Sequence, residues 1–161
     1  MEIRTLSTEE YPSFCGFAQD VFIDYYTSLI GKKQAEYMAD LFLSPDAVRQ
    51  LSEKGARFRV LKQGEEYLGF CEYLKEEEKV FLSKLYVRKD RRHQGLGKKL
   101  FEDCVNYTKE NGLSRIYLTV NKYNTPSYET YRHLGFEVID AVVNDIGKGY
   151  VMDDYIMEIE V

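Results

Sequence analysis

Leu82-Ser83-Lys84-Leu85-Tyr86-Val87-Arg88-Lys89-Asp90-Arg91-Arg92-His93-Gln94-Gly95-Leu96-Gly97-Lys98-Lys99-Leu100 is the stretch whose reading decides the fold. An apolar strand ending in Leu85-Tyr86-Val87 runs into a basic turn, and two glycines then open an amphipathic helix. A turn of this kind aims backbone N–H groups and a helix dipole at a phosphate. Seven Lys or Arg and one Asp between Lys84 and Lys99 give a local charge of +6 in a chain of net −5, which leaves −11 elsewhere. As charge alone, the run would suit a solvated surface loop. The glycines and the flanking strand point instead to an anionic ligand held at one place.

Two nucleotide-binding patterns can be excluded directly. A Walker loop needs G-x-x-x-x-G-K-S/T, but Gly97-Lys98 is followed by Lys99 and the upstream glycine is missing. A dinucleotide fingerprint needs a third glycine, and Gly95-Leu96-Gly97 is followed by Lys98-Lys99-Leu100. What remains is Arg92-His93-Gln94-Gly95-Leu96-Gly97 between a strand and a helix.

Upstream of the turn, residues 2–6 read as a short strand, and Ser7-Thr8-Glu9-Glu10 as a helix start with a capping Ser three residues before an acid. Phe14, Phe17, Ala18, Val21, Phe22 and Tyr25 recur at three- and four-residue steps, one buried helical face. A second helix is expected over Lys32–Leu43, and a third from Ser44-Pro45 to Gly55. Arg57–Lys62, Tyr67–Lys75 and Lys79–Val87 read as strands. Downstream, Leu96, Leu100, Phe101, Cys104, Val105 and Thr108 form the inward stripe of a helix that stops at Asn111-Gly112. Arg115–Val120 is a strand, Ser127–Leu134 a short helix closed by Gly135, and Phe136–Val143 and Tyr150–Val161 the last strands, joined by a loop holding Gly147 and Gly149. The order gives a single α/β (α+β) domain over 1–161 with an antiparallel portion in the middle.

Composition narrows the function classes. At 161 residues, 44% apolar and 30% charged, the chain can bury a proper core. Cys15, Cys71 and Cys104 are odd in number and far apart, and the histidines are only His93 and His133, so neither a disulfide framework nor a metal site is expected. The start, Met1-Glu2-Ile3-Arg4-Thr5, has no apolar signal core and no 18-residue apolar run occurs, so the expected setting is cytoplasmic, without a membrane. The acidic balance argues against a general nucleic-acid binder, which needs a broad basic face.

The Arg92–Gly97 turn resembles the acetyl-CoA loop of the GNAT superfamily of N-acetyltransferases, whose pattern is Arg/Gln-x-x-Gly-x-Gly/Ala. Asn121-Lys122-Tyr123-Asn124-Thr125-Pro126-Ser127-Tyr128-Glu129-Thr130-Tyr131-Arg132-His133-Leu134-Gly135-Phe136 resembles the superfamily's Asn-x-x-Ala/Ser-x-x-x-Tyr-x-x-x-Gly-Phe segment, with Asn124, Ser127, Tyr131, Gly135 and Phe136 on the marked positions. Ile146-Gly147-Lys148-Gly149-Tyr150-Val151-Met152-Asp153-Asp154-Tyr155 is similar to the ending of a bacterial group within it described as polyamine-type, or PaiA-like, acetyltransferases.

This resemblance implies a mixed, mostly antiparallel twisted sheet of about seven strands flanked by helices, splayed between the fourth and fifth. It implies acetyl-CoA as cosubstrate, without a metal. The backbone of Arg92, His93, Gln94, Gly95, Leu96, Gly97 and Lys98 would cradle the pyrophosphate, while Arg91, Lys98 or Lys99 would meet the 3′-phosphate. The main chain of Leu85, Tyr86 and Val87 would pair with the pantetheine arm, with Asn124 and Ser127 on its other side. Tyr131 would be the general acid for the thiolate. Ser83 and Lys84 stand where many relatives place a carboxylate, which leaves Glu72 as the candidate base and Asp153-Asp154-Tyr155 as another acidic cluster. Tyr25, Tyr26, Glu72 and Asn121 are candidates for the acceptor site. The acidic remainder favours a cationic acceptor such as a polyamine, a lysine side chain or an aminated small molecule. A non-catalytic acyl-CoA-binding module on the same fold is the rival reading, and the resemblance allows a homodimer through Tyr150–Val161 without fixing one.

Overall fold

The computed structural model describes residues 1–161 and builds every strand into one seven-stranded sheet, ordered β1-β2-β3-β4-β5-β7-β6. The strands are β1 (Glu2–Thr5), β2 (Arg57–Gln63), β3 (Glu66–Lys75), β4 (Val80–Val87), β5 (Arg115–Asn121), β6 (Glu137–Gly147) and β7 (Tyr150–Glu160). Three helices, α1 (Tyr11–Ile30), α2 (Lys32–Leu43) and α3 (Pro45–Glu53), fill the first crossover, while α4 (Leu96–Glu110) and α5 (Thr125–Leu134) follow β4 and β5. Neighbouring strands are antiparallel except β4 and β5.

Alternation along β3 explains the two cores. Phe70 points to the face covered by α1–α3, where it joins Phe14, Ala18, Phe22, Val48 and Phe58. Cys71 and Tyr73 point to the face covered by α4, among Leu96, Leu100, Cys104 and Phe136. Gly69 is a packing requirement: a Cβ there would stand 2.7 Å from the Tyr86 carbonyl of β4. All three cysteines are buried and free.

The parallel pair is short. Val80 pairs with Ile116 and Phe81 with Tyr117, and there the pairing ends. β5 stays paired with β7 from Arg115 to Asn121, and β4 with β3 from Val80 to Val87, so the two halves of the sheet diverge like an opened book. This is the expected splay.

Two expectations need correction. The capping Ser7 opens a short 3₁₀ turn, Thr8–Glu10, before α1 begins, although Glu10 does reach back to the Ser7 N–H (3.2 Å) and Oγ (2.9 Å). β6 continues past Val143 to Gly147, because Asn144 and Asp145 hold register with Met152 and Val151. The predicted loop is therefore a tight turn at Gly147-Lys148-Gly149, all three with positive φ.

Glu10 locks α1 to the sheet. Its carboxylate accepts two hydrogen bonds from Arg4 of β1 (2.6 and 2.8 Å) and one from Tyr67 of β3 (2.9 Å), and pairs with Lys62 of β2 at 3.5 Å. The Arg4 hydrogen bonds hold its carboxyl well below the usual 4.5. A depressed carboxyl contributes stability that is complete above its unfolded value and is lost as pH falls through the folded one. Glu10→Gln is expected to lower unfolding stability by about 2 kcal/mol at neutral pH and to flatten the acid limb of stability against pH, checked by urea denaturation across the acid range.

Candidate active site

The divergence of β4 from β5 opens a slot of about 180 Å³ on one side and a cavity of about 470 Å³ on the other. Tyr26, Ser83, Lys84, Tyr86 and Thr119 line both, so the two adjoin across the splay.

The slot side is built from backbone. Arg88 N–H donates to Leu68 O of β3 at 2.8 Å, and alternate residues of a strand bond to alternate sides, so Leu85 and Val87 turn their main-chain groups toward the splay. Val87 O accepts from Arg92 Nε at 3.1 Å, which folds the basic turn onto the end of the slot. Gly95, with φ +79°, caps α4 in the left-handed region that glycine enters without strain. His93 just before it also has positive φ, at 63°. The first backbone bond of α4 is Lys99 N–H to Gly95 O (3.2 Å), which leaves the N–H groups of Leu96, Gly97 and Lys98 without protein acceptors. The Leu96 side chain itself is core, so only its backbone belongs to the site.

Gly97 is informative because the fold does not demand it. A Cβ there would meet Leu85 and Val87 at 3.7 and 3.9 Å, ordinary contacts. Space left open at a helix N-terminus with three free donors fits an anion approaching the backbone.

The charge of the turn is smaller than the sequence suggests. Lys84 is 9% exposed and belongs to the other side: its Nζ donates to Glu72 Oε1 at 3.0 Å and lies over the Phe42 ring. Arg88 is taken by Asp90 at 2.6 Å. Lys89, Arg91, Arg92, Lys98 and Lys99 keep no carboxylate partner, and the Arg92 guanidinium sits over the Tyr25 ring.

α5 closes the slot. Asn124 is buried and caps the helix, its Oδ1 accepting from Ser127 N–H (3.3 Å) and from Tyr25 Oη (2.8 Å), and Tyr25 also bonds Ser127 Oγ. Tyr131 lines the slot and its hydroxyl bonds no protein group. Burial, with Tyr26 and Tyr25 close by, pushes its phenol well above 10. Behind it, Tyr86 Oη donates to Tyr26 Oη at 3.0 Å, and burial raises Tyr26 to about 12.

The chain matches the acetyltransferase (GNAT) family over residues 15–136. It belongs to that family. Its activity is therefore transfer of an acetyl group from acetyl-CoA to an amine nitrogen. This acetyltransferase is 24% identical over 151 residues to the spermidine N(1)-acetyltransferase of Thermoplasma acidophilum, an alignment spanning 90% of this chain and 93% of the relative. The PaiA N-acetyltransferase of the same organism, solved in complex with coenzyme A, superposes with a TM-score of 0.83 at 24% identity over 99% of this chain and 98% of that one. The Escherichia coli ribosomal-protein-S18-alanine N-acetyltransferase gives 0.70 at 19% identity, over 99% and 93%. At such identities the structural likeness speaks for the fold.

The acetyltransferase places its predicted site residues on both sides of the splay. Leu85, Tyr86, Val87, Arg92, Asn124, Ser127 and Tyr131 line the slot, and His93, Gln94, Gly95, Gly97 and Lys98 lie on the turn at its end. Tyr26, Glu72 and Asn121 line the larger cavity. Tyr25 does not: it faces the slot, where it ties α1 to α5. Glu72 is buried, 3% exposed.

Sequence reasoning left out of the site Lys84, Ser83, Thr119, the α2 residues Met38 and Phe42, and Asp154 as an individual. Asp154 is 4% exposed, lines the larger cavity and has no hydrogen-bonding side-chain partner. Burial, with Asp153 adding to it and Lys122 opposing, raises its carboxyl from 3.8 to about 6. The folded protein thus holds a proton that the unfolded chain has already released, so stability falls as pH rises from about 4 to about 6. Asp154→Asn removes that penalty. The variant is expected to be the more stable at about pH 7.5, by about 2 kcal/mol, with the gap closing by about pH 4. Chemical denaturation at both pH values checks it, and an equal gap at both would contradict the charge-burial account.

Proposed function

We propose that the acetyl group passes directly from acetyl-CoA, bound along the slot, to a primary amine bound in the larger cavity, with Tyr131 as the acid for the departing sulfur. The observation that carries this reading is the Tyr131 hydroxyl, which lines the slot unpartnered while the tyrosines around it are engaged with one another or with α5.

The pyrophosphate would take the three free N–H groups of Leu96, Gly97 and Lys98 behind Gly95, with Arg92 at the edge and His93-Gln94 shaping the turn. The pantetheine amides would pair with the Leu85 and Val87 main chain on one side. Asn124 would meet them from the other through its Nδ2, since its Oδ1 is already held by Tyr25 and Ser127.

In the transfer, the arriving ammonium first gives one proton to water on the acceptor side, and the freed amine lone pair forms the C–N bond at the thioester carbonyl carbon as the C–S bond breaks. Sulfur then takes its proton from Tyr131, the new amide nitrogen releases its extra proton to water on the acceptor side, and the Tyr131 phenolate is reprotonated from water. A phenol raised by burial stays protonated at working pH, as a donor must. Proton transfer from it to a thiolate near 8.5 is uphill, so placement rather than acidity has to supply the rate. Glu72, the candidate base from the sequence, has its charge committed to Lys84 and acts here through that pair, fixing the wall between slot and cavity. The acceptor would arrive as a cation, drawn by a chain of net −5 whose basic turn lies at the end of the slot.

Tyr131→Phe should lower kcat about tenfold or more with coenzyme A affinity unchanged, read by thiol release and calorimetry. Turnover near wild type with chemistry rate-limiting would take Tyr131 out of the mechanism. Gly97→Ala should melt like wild type yet bind coenzyme A about tenfold more weakly, because its Cβ finds room in the protein and only a ligand would object. Unchanged affinity would move the phosphates away from this turn.

A further inference from the structure

The 470 Å³ cavity carries enough chemistry to select among amines. We propose that the acceptor is a primary monoamine with an apolar body, its ammonium received by Asp154 and its body by the apolar wall that α1 and α2 lay over the sheet. This assignment rests on direct transfer to an amine held in that cavity.

The charges of the cavity decide between amine classes. Four ionisable side chains other than tyrosine line it: Lys54, Glu72, Lys84 and Asp154. They sum to zero. Glu72 and Lys84 are both buried and bonded to each other, so a ligand that took Glu72 would strand a buried lysine. Lys54 repels a cation. One carboxylate, Asp154, remains free. The rest of the wall is mainly apolar: Phe22, Met38, Phe42, Leu74, Phe81 and Met152. A polyamine brings several ammonium groups; the side-chain carbonyls of Gln34, Asn121 and Asn144 can accept from them, but beyond Asp154 no free carboxylate supplies a counter-charge for each further ammonium that is buried. A single ammonium with a hydrocarbon or aromatic body pairs with Asp154 and leaves only the solvent-exposed Lys54 without a counter-charge, and the volume is in the range of small-ligand sites.

The position of Asp154 supports the same assignment. It lies on β7 opposite Asn121 of β5, where the splay is widest, and faces the Tyr26 side of the cavity. The charged and titratable groups around it are Tyr26 from α1, Lys122 next to its β5 partner and Asp153 on its own strand, and Lys122 is itself paired with Asp153 at 2.9 Å. Burial that raises its carboxyl to about 6 is a cost that an arriving ammonium relieves. The fold would be more stable without this charge, which is what a group kept for a ligand looks like.

The test compares phenethylamine and hexylamine with putrescine, spermidine and spermine on the whole protein. Thiol release reads transfer, and calorimetric titration of the coenzyme A-bound protein reads amine binding separately. The monoamines should bind and turn over with kcat/KM at least about tenfold above the polyamines. Asp154→Asn should raise the monoamine KM at least about tenfold, leave the acetyl-CoA KM unchanged, and melt no lower than wild type. Polyamines preferred by that margin, no binding of either monoamine, or an Asp154→Asn variant with an unaltered amine KM would each overturn the proposal. Monoamine binding that depends on Asp154, with no thiol released by any of the five amines, would keep the ammonium site at Asp154 and overturn the transfer reading instead.

Discussion

The architecture hangs on a parallel pairing that stops after two residues. β4 and β5 meet at Val80–Ile116 and Phe81–Tyr117, the last pair closed by stacked rings with centroids 4.8 Å apart, and then separate although each remains fully paired on its other edge. A strand edge inside a sheet is normally satisfied by its neighbour, so the main chain of β4 beyond Phe81 stands free in a protein interior. An extended ligand with amide groups can complete it as a missing strand would. The same separation connects the two faces of the sheet, and tyrosines rather than aliphatic side chains fill the gap because a ring with a hydroxyl packs and hydrogen-bonds at once.

Those parts of the site that depend on local chain geometry were legible in the sequence. Gly95 announces a positive φ and Asn124 a helix cap, and each does what its residue type is suited to do within a few positions of itself. The residues that escaped are set by long-range register. Lys84 looked like one more cation of the basic turn, but strand alternation turns it to the opposite face, where Glu72 stands across from it on β3. Tyr25 looked like an acceptor contact, but it reaches Asn124 because α1 crosses the slot. Asp154 was one carboxylate in an acidic triplet until pairing with Asn121 placed it in the cavity while Asp153 turned to Lys122. The strands and helices followed from periodicity; the missed length of β6 came from polar residues that only their β7 partners hold in register.

Charge in this protein is sorted by side. The basic turn keeps its unpaired cations beyond the end of the slot, while the cavity pairs Glu72 with Lys84 and leaves the Asp154 carboxylate free. Neutralisation of Lys84 by Glu72 is what keeps the two environments apart, since an unpaired lysine on the shared wall would repel any amine approaching from the cavity.

The strand order β5-β7-β6 has a consequence for how the chain assembles. β1 to β4 can form a continuous antiparallel sheet under α1–α3 as soon as they have been synthesised. β6 leaves the ribosome before β7 but pairs only with β7, so until β7 inserts, its exposed Val138, Ile139 and Val143 edge a strand with no neighbour. The cleft is the joint between an early-formed half and a late-formed half, tied together by two parallel residue pairs and contacts such as Tyr25 with Asn124. A molecule bound across that joint holds the two halves shut, so substrate occupancy and resistance to partial unfolding are thermodynamically linked in this chain.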